Sequence, residues 1–168
     1  AGYGYSEFTE NNKDLRGALD VYFIGVSQDQ LDATDTVRSR AGAANRARDL
    51  NNRPANELYP ESFVDYALDL VGDTGPEATV YDHEQLEEDG RVGLIAVGQG
   101  SAKPPRMLHL KWGDNPDVAL LGKGVTFDTG GISIKGSAGM WDMRSDMSGA
   151  GAVLHATVNV PESGETDV

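Results

Sequence analysis

The chain of 168 residues has the length of one domain, or of a small domain with a piece of another. Acidic side chains outnumber basic ones by 27 to 14, and the net charge of −13 argues against a nucleic-acid binder and a polybasic membrane anchor. The absence of cysteine excludes disulfides, thiolate metal sites and a cysteine nucleophile. With no signal-like start and no membrane-spanning run, the sequence predicts a cytoplasmic protein.

The first predicted elements are a strand and a long helix. Residues 19–26 (LDVYFIGV) are rich in β-branched and aromatic side chains, which is typical of a strand. Ser27 can cap a following helix that is rich in alanine and runs to Leu50. Residues 51–56 contain a proline and three asparagines, and this composition predicts a boundary.

Shorter elements are predicted for the rest of the chain. A second helix begins at Pro60, and its apolar residues recur on one face until residues 72–76 end it. The segments that follow are a strand at 78–82, an acidic helical turn at 84–89, an apolar run at 93–98, an alternating strand at 107–112 and a continuous apolar strand at 117–122. Strands that alternate with helices predict an α/β fold with a mixed sheet flanked by helices.

The segment at residues 122–147 (GKGVTFDTGGISIKGSAGMWDMRSDM) is the strongest candidate for a functional site. It follows the predicted buried strand, at the edge where open α/β sheets place their ligands. Its polar side chains include those of Lys123, Asp128, Lys135 and Asp146, in surroundings rich in glycine. Several kinds of site use such residues.

Three interpretations of this segment leave some of these residues without a role. A phosphate-binding loop is disfavoured, because Asp117 and Gly124 stand where its motif requires glycine and serine or threonine. The sequence FDTG at residues 127–130 resembles the aspartic protease signature, but that chemistry pairs two such carboxylates on an all-β fold. Gly-rich turns with aspartate and lysine also occur without any function, and Asp146 would then only cap a helix.

A carboxylate-rich metal site is the fourth interpretation, and it uses all four side chains. Two aspartates can form the nucleus of a two-metal centre for ions such as Mn, Mg or Zn. A lysine amine can join them once it is neutral, and an adjacent dication can supply the roughly 4–5 kcal/mol that this requires. A second lysine that stays charged would polarise a substrate carbonyl and stabilise its oxyanion.

The motifs of this segment resemble those of the cytosol leucyl aminopeptidases, a family of two-metal exopeptidases. The resemblance rests on GKGVTFDTGGISIK at residues 122–135 and on the pattern M..M..DM.GA at residues 140–150. The stretches ARDLNNRPANELYPES at 47–62 and VGQGSAKPPRMLHLKW at 97–112 are also similar to the family. The resemblance implies a remnant of the N-terminal domain at 1–26, a connecting helix and linker at 27–56, and the N-terminal part of the catalytic domain at 57–168.

The resemblance also implies a role for each polar side chain of the segment. Lys123, Asp128 and Asp146 would be metal ligands, with Asp128 bridging two divalent ions, Mn or Zn. Lys135 would be the catalytic lysine that polarises the scissile carbonyl. We therefore expect a metal-dependent hydrolase that acts on peptides with a free N-terminus.

Further expectations about the substrate and the assembly follow from the same resemblance. Met140 and Met143 would line the pocket for an apolar N-terminal side chain, which implies a leucine-type preference; either methionine could instead be ordinary core filler. The family is cytoplasmic and hexameric, so a homo-oligomer is expected.

One motif of the family is not present in these 168 residues. It reads N-T-D-A-E-G-R and carries an aspartate ligand, a bridging glutamate and an arginine that seats a bicarbonate in a complete enzyme. The resemblance therefore implies a shortened or partial member, whose fold is incomplete relative to the family's catalytic domain. The alternative hypothesis is a non-catalytic fragment of such an enzyme.

Overall fold

A computed structural model describes residues 22–160 of the chain. Its elements, in chain order, are α1 (Gln28–Asn52), α2 (Pro60–Val71), β1 (Glu77–Tyr81), α3 (His83–Glu88), α4 (Val92–Gly98), β2 (Met107–Lys111), a 3₁₀ helix (Met140–Met147) and α5 (Ser148–Asn159). The predicted α/β class is confirmed, and the sheet within residues 22–160 consists of two antiparallel strands, β1 and β2. None of the helices described in this range is long and apolar enough to cross a membrane.

Helix α1 begins where the sequence predicts it. The Ser27 hydroxyl accepts a hydrogen bond from the Gln30 amide at 3.4 Å, and the Gln30 side chain accepts one from the Ser27 amide at 2.9 Å. This reciprocal capping box satisfies two backbone donors of the first turn. The helix ends at Asn52, two residues beyond the predicted end at Leu50, because Arg53 precedes a proline and takes an extended backbone.

Helix α2 also begins at its predicted residue, Pro60, whose missing N–H is not needed in the first helical turn. Val64, Ala67 and Val71 are buried, which confirms the predicted apolar face. Gly72 ends the helix with a φ of 56°, a backbone angle that glycine adopts without strain.

The strands predicted at 78–82 and 107–112 are both confirmed to within a residue as β1 and β2. Val80 pairs with Leu108, and Thr79 pairs with His109. His109 is exposed while its neighbours on β2 are half-buried. The predicted acidic turn forms α3, which is capped by the Asp82 side chain.

Two predicted strands are wrong where the structure describes them. Residues 22–26 of the segment 19–26 form no strand, and residues 19–21 lie outside the described range. Residues 117–122 are irregular, and Leu121 is 89% exposed. A strand needs a neighbour to pair its backbone, and within residues 22–160 neither segment has one, so their apolar side chains stay largely exposed.

The core lies where α1, α2 and α5 meet. It consists of five buried residues, Leu50, Leu58, Ala67, Met147 and Leu154. Leu108 and Leu110 of β2 pack against this cluster, and the Trp112 indole N–H donates a hydrogen bond of 2.8 Å to the Thr157 carbonyl of α5. The sheet and the two long helices therefore hold α5 in place, together with the 3₁₀ helix that leads into it.

Candidate metal centre

The candidate centre is formed by two segments that meet at the beginning of α5. The Ala150 amide, in the first turn of α5, donates a hydrogen bond of 2.9 Å to the Lys123 carbonyl. The Lys135 amide donates one of 2.8 Å to the Thr129 carbonyl, which closes the loop at residues 129–135. Asp146 lies on the 3₁₀ helix directly before α5. These backbone contacts bring together the two lysines and two aspartates that the sequence singles out.

Lys123 and Asp146 form the first ion pair of the centre. The Lys123 ammonium lies 2.8 Å from both carboxylate oxygens of Asp146 and donates a hydrogen bond to Oδ1. This hydrogen bond is the largest cause of the raised pKa of Lys123; burial opposes it, and the negative charges of Asp146 and Asp128 each add a smaller contribution in the same direction as the hydrogen bond. The amine therefore carries its positive charge between two carboxylates.

Asp128 and Lys135 form the second ion pair. The Lys135 ammonium lies 2.9 Å from Asp128 Oδ2, and the Gly130 amide donates a hydrogen bond of 2.8 Å to Asp128 Oδ1. The hydrogen bond from Lys135, and after it the one from Gly130, lowers the pKa of the Asp128 carboxyl. Both oxygens of this carboxylate thus have a donor.

The two methionines predicted at the substrate pocket both lie on the 3₁₀ helix, and both are half-buried. Met143 is in direct contact with the centre, since its Sδ lies 2.9 Å from the Lys135 ammonium. Met140 begins the same helix directly after Gly139, which has a φ of 77°. The structure therefore places Met143 beside the predicted catalytic lysine.

The loop between Asp128 and Lys135, the partners of the second ion pair, depends on one glycine. Gly130 has a φ of 91°, and a Cβ atom at this position would lie 2.4 Å from the Ser133 carbonyl oxygen and 3.1 Å from the Lys135 amide nitrogen. Such distances leave no room for a side chain. The adjacent Gly131 also has a positive φ, of 68°, but no atom lies within 4 Å of its Cβ position.

The donor set of the centre fits a divalent cation. Within residues 22–160 no three His, Asp or Glu side chains form a metal-binding group, and the candidate ligands are the two carboxylates and the amine of Lys123. Asp146 Oδ2 is buried, and the Lys123 ammonium at 2.8 Å is its partner among the described residues. Positive charge already faces both carboxylates in the form of two ammonium groups. Two carboxylates, together with the Lys123 amine once it has lost its proton, are a donor set that a divalent cation can use in place of these ammonium charges.

Sequence reasoning missed one contact that supports the centre. The Ser148 hydroxyl contacts both the Asn51 side-chain oxygen and the Ser145 carbonyl. This contact ties the end of α1 to the residue two positions after Asp146. The sequence signal that pointed to Asn51 was the resemblance of residues 47–62 to the family.

Residues 45–166 match the family described as "Cytosol aminopeptidase family, catalytic domain". The probable cytosol aminopeptidase of Corynebacterium glutamicum is 40% identical over 154 residues, which cover 90% of this chain and 30% of that protein. The leucine aminopeptidase LAP1 of Caenorhabditis elegans aligns with a TM-score of 0.77 and 30% identity, over 94% of this chain and 33% of that one. The bottromycin maturation enzyme BotP in complex with Mn aligns with a TM-score of 0.73 and 40% identity, over 83% of this chain and 30% of that one.

The chain thus spans about a third of the length of the relatives that it matches, 30% of the Corynebacterium protein and 33% of the nematode enzyme. The matched range, residues 45–166, contains every residue of the candidate centre. By this match, which covers most of its length, the chain belongs to the cytosol aminopeptidase family.

Proposed function

We propose that this chain supplies the metal-holding part of an aminopeptidase that releases N-terminal residues, with a leucine-type preference, from peptides through a two-metal centre. One observation carries the proposal: the Lys123 nitrogen lies 2.8 Å from the Asp146 carboxylate and is also within electrostatic reach of Asp128. Three potential ligands from distant parts of the segment are therefore gathered in one place. Membership of the family gives the reaction class.

Each ligand has a distinct part in this proposal. Asp128 and Asp146 offer carboxylate oxygens, with Asp128 as the bridge between two ions, and Lys123 offers its amine after losing a proton. Divalent ions at such a centre supply Lewis acidity toward a peptide carbonyl and toward water.

Lys135 keeps its charge in the proposed reaction. Its ammonium is oriented by Asp128 at 2.9 Å and can donate to the oxygen of the scissile carbonyl, where negative charge develops. Met143 lies against the same ammonium and, with Met140, forms the apolar surface for the N-terminal side chain of the substrate. A flexible thioether adapts to apolar side chains of several shapes.

The wider proposal concerns the metal, the assembly and the compartment. We propose Mn or Zn as the metal, and the Mn complex of the related BotP supports the first of these. A bicarbonate in the complete enzyme, a homohexamer and a cytoplasmic location complete the proposal. The catalytic part begins near residue 57, after the connecting helix and linker at 27–56, and residues 1–26 belong to an N-terminal domain.

Hydrolysis of leucine p-nitroanilide tests the proposal, and every activity assay uses these 168 residues joined to a segment that supplies the N-T-D-A-E-G-R motif, because that motif carries further proposed metal ligands. The protein is first treated with a chelator and then titrated with Mn²⁺. We expect activity to appear with Mn²⁺, to vanish in Asp128→Asn, to persist in the exposed-site control Asp114→Asn, and to be absent with an N-acetylated substrate. Equal hydrolysis with and without metal, or full activity of Asp128→Asn, would refute the proposal.

A further inference from the structure

The backbone passes unusually close to α5 at Gly122, directly before Lys123. A Cβ atom at Gly122 would lie 2.5 Å from the Gly149 carbonyl oxygen, 2.6 Å from the Ala150 Cα and 2.7 Å from the Ala150 nitrogen. All three neighbours are backbone atoms, and backbone in the first turn of a packed helix cannot move aside as the end of a flexible side chain can. Only glycine fits at this crossing.

The crossing is equally close when it is viewed from α5. A Cβ atom at Gly149 would lie 3.0 Å from the backbone nitrogen of Lys123 and 3.7 Å from the Gly122 Cα. One residue later, the Ala150 amide donates its hydrogen bond of 2.9 Å to the Lys123 carbonyl. The main chain of Lys123 therefore lies directly against the first turn of α5 and is hydrogen-bonded to it.

This crossing has a direct consequence for the metal centre. Asp146 lies two residues before α5, on the 3₁₀ helix that continues directly into α5. Its carboxylate therefore moves with the first turn of α5. The distance of 2.8 Å between the side-chain nitrogen of Lys123 and Asp146 Oδ1 thus depends on how closely residues 122–123 approach α5. We infer that Gly122 and Gly149 are positioning residues that set the spacing of the ligands Lys123 and Asp146, an inference that rests on the proposed function.

The chain offers a matched control on the other side of Lys123. A Cβ atom at Gly124 would meet only the Ala150 Cβ, at 3.5 Å, which is an ordinary contact. Neither Gly122 nor Gly124 has a backbone angle in the left-handed region, so alanine is not strained by φ at either position. The variants Gly122→Ala and Gly124→Ala therefore differ chiefly in whether the crossing with α5 is pushed apart.

A second pair of variants separates positioning from general stability. Gly149→Ala places an alanine in the first turn of α5, which favours the helix, while it crowds Lys123. Gly151→Ala gives the same helix an alanine, but its Cβ would meet only side-chain atoms of Met147 and Leu50, at 3.4 and 3.6 Å, and the Ala47 carbonyl oxygen at 3.9 Å. A purely structural role predicts that Mn²⁺ affinity follows thermal stability in all four variants. A positioning role predicts that Gly149→Ala loses affinity without losing stability.

The experiment measures the dissociation constant for Mn²⁺ from the electron paramagnetic resonance signal of the free ion, together with the metal-free thermal midpoint of each variant. We expect Gly122→Ala to weaken Mn²⁺ binding on the order of 10–100-fold, Gly149→Ala to weaken it less, and the two controls to stay within about twofold of the parent. Parent-like Mn²⁺ affinity in folded Gly122→Ala or Gly149→Ala would overturn the inference. Lys123→Met tests the proposed function separately: parent-like affinity in that variant refutes Lys123 as a ligand, whatever the glycine variants do.

Discussion

The Lys135 ammonium lies 2.9 Å from Asp128, a residue proposed to bridge two metal ions. The same carboxylate receives a hydrogen bond of 2.8 Å from the Gly130 amide. The proposed ligand Asp128 therefore also orients the ammonium group that is proposed to act on the substrate. Because the lysine is held by a short ion pair on a closed loop, its ammonium is oriented before a substrate arrives, and a preorganised charge needs no rearrangement during the reaction.

Replacement of this lysine should reduce turnover without removing the metal. In Lys135→Ala we expect kcat for leucine p-nitroanilide to fall by about 10²–10³, as when one oxyanion donor is removed. Mn²⁺ content should stay close to that of the parent, since Lys135 is not a proposed ligand. Lys103→Ala is the control, because the Lys103 ammonium lies over the Tyr59 ring, 3.9 Å from its centroid. A kcat close to the parent value in Lys135→Ala would assign this lysine a structural role only.

Gly130 and Gly131 provide a test of the loop that carries Lys135. Both have a positive φ, so alanine is strained at each position by about 1 kcal/mol. Only at Gly130 does the new Cβ also collide with the Ser133 carbonyl and the Lys135 backbone. We expect Gly130→Ala to lower kcat at least tenfold more than Gly131→Ala. Equal kcat values in the two variants would mean that closure of this loop does not position Lys135.

A buried histidine joins α5 to α2. His155 is 2% exposed, its Nε2 lies 3.2 Å from the Tyr66 hydroxyl, and the two rings meet edge to face. Burial lowers the pKa of His155 from 6.5 to about 4, and the positive charge of Arg46 adds to this, while Asp49 opposes it. The histidine is therefore neutral in the folded protein at neutral pH.

This pKa shift predicts a specific dependence of stability on pH. Between about pH 6.5 and pH 4 the unfolded chain binds a proton at this histidine and the folded chain does not, so the free energy of unfolding falls as the pH decreases. The loss from this group reaches about 3 kcal/mol near pH 4. Urea unfolding of the parent and His155→Gln should show their difference in stability shrinking by that order over this range. His109→Gln, at an exposed position of β2, should show no such change, and a constant difference for His155→Gln would contradict the assignment.

The core cluster predicts which apolar residues matter for stability. Leu58 is 1% exposed and belongs to the cluster between α1, α2 and α5, so Leu58→Ala should lower the free energy of unfolding by about 2–5 kcal/mol. Val37 on α1 is 65% exposed, and Val37→Ala should change it by less than about 0.5 kcal/mol. Urea unfolding at neutral pH measures both. Equal effects would place the core elsewhere.

Local signals in the sequence predict most of the helices and both paired strands. Ser27 and Pro60 begin helices for reasons that lie within a few residues of each, a capping box and a proline in the first turn. Alternation of apolar and polar residues was enough to find β2. The strands predicted at 19–26 and 117–122 failed where they are described because an apolar, β-branched run becomes a strand only beside a partner strand. The sequence of such a segment does not indicate where its partner strand lies.

The candidate centre shows the same division between local and distant information. Its residue types were predicted from one segment, and their roles from resemblance to a family. The pairing of Lys123 with Asp146 joins residues 23 positions apart, and the contact of Asn51 with Ser148 joins residues 97 positions apart. Such pairings depend on how α1 and α5 pack, so no spacing rule in the sequence predicts them.

The central claim is that Asp146 belongs to a metal centre, and the most direct test is Mn²⁺ binding to Asp146→Asn beside Asp142→Asn. Both variants remove one negative charge from the same 3₁₀ helix while nearly preserving side-chain size, but Asp142 is exposed and pairs with Arg144 at 3.5 Å. We predict that Asp146→Asn weakens Mn²⁺ binding by more than about 100-fold, beyond the range typical of residues that only support a ligand, while Asp142→Asn binds as the parent does. Parent-like Mn²⁺ affinity in folded Asp146→Asn would contradict the account.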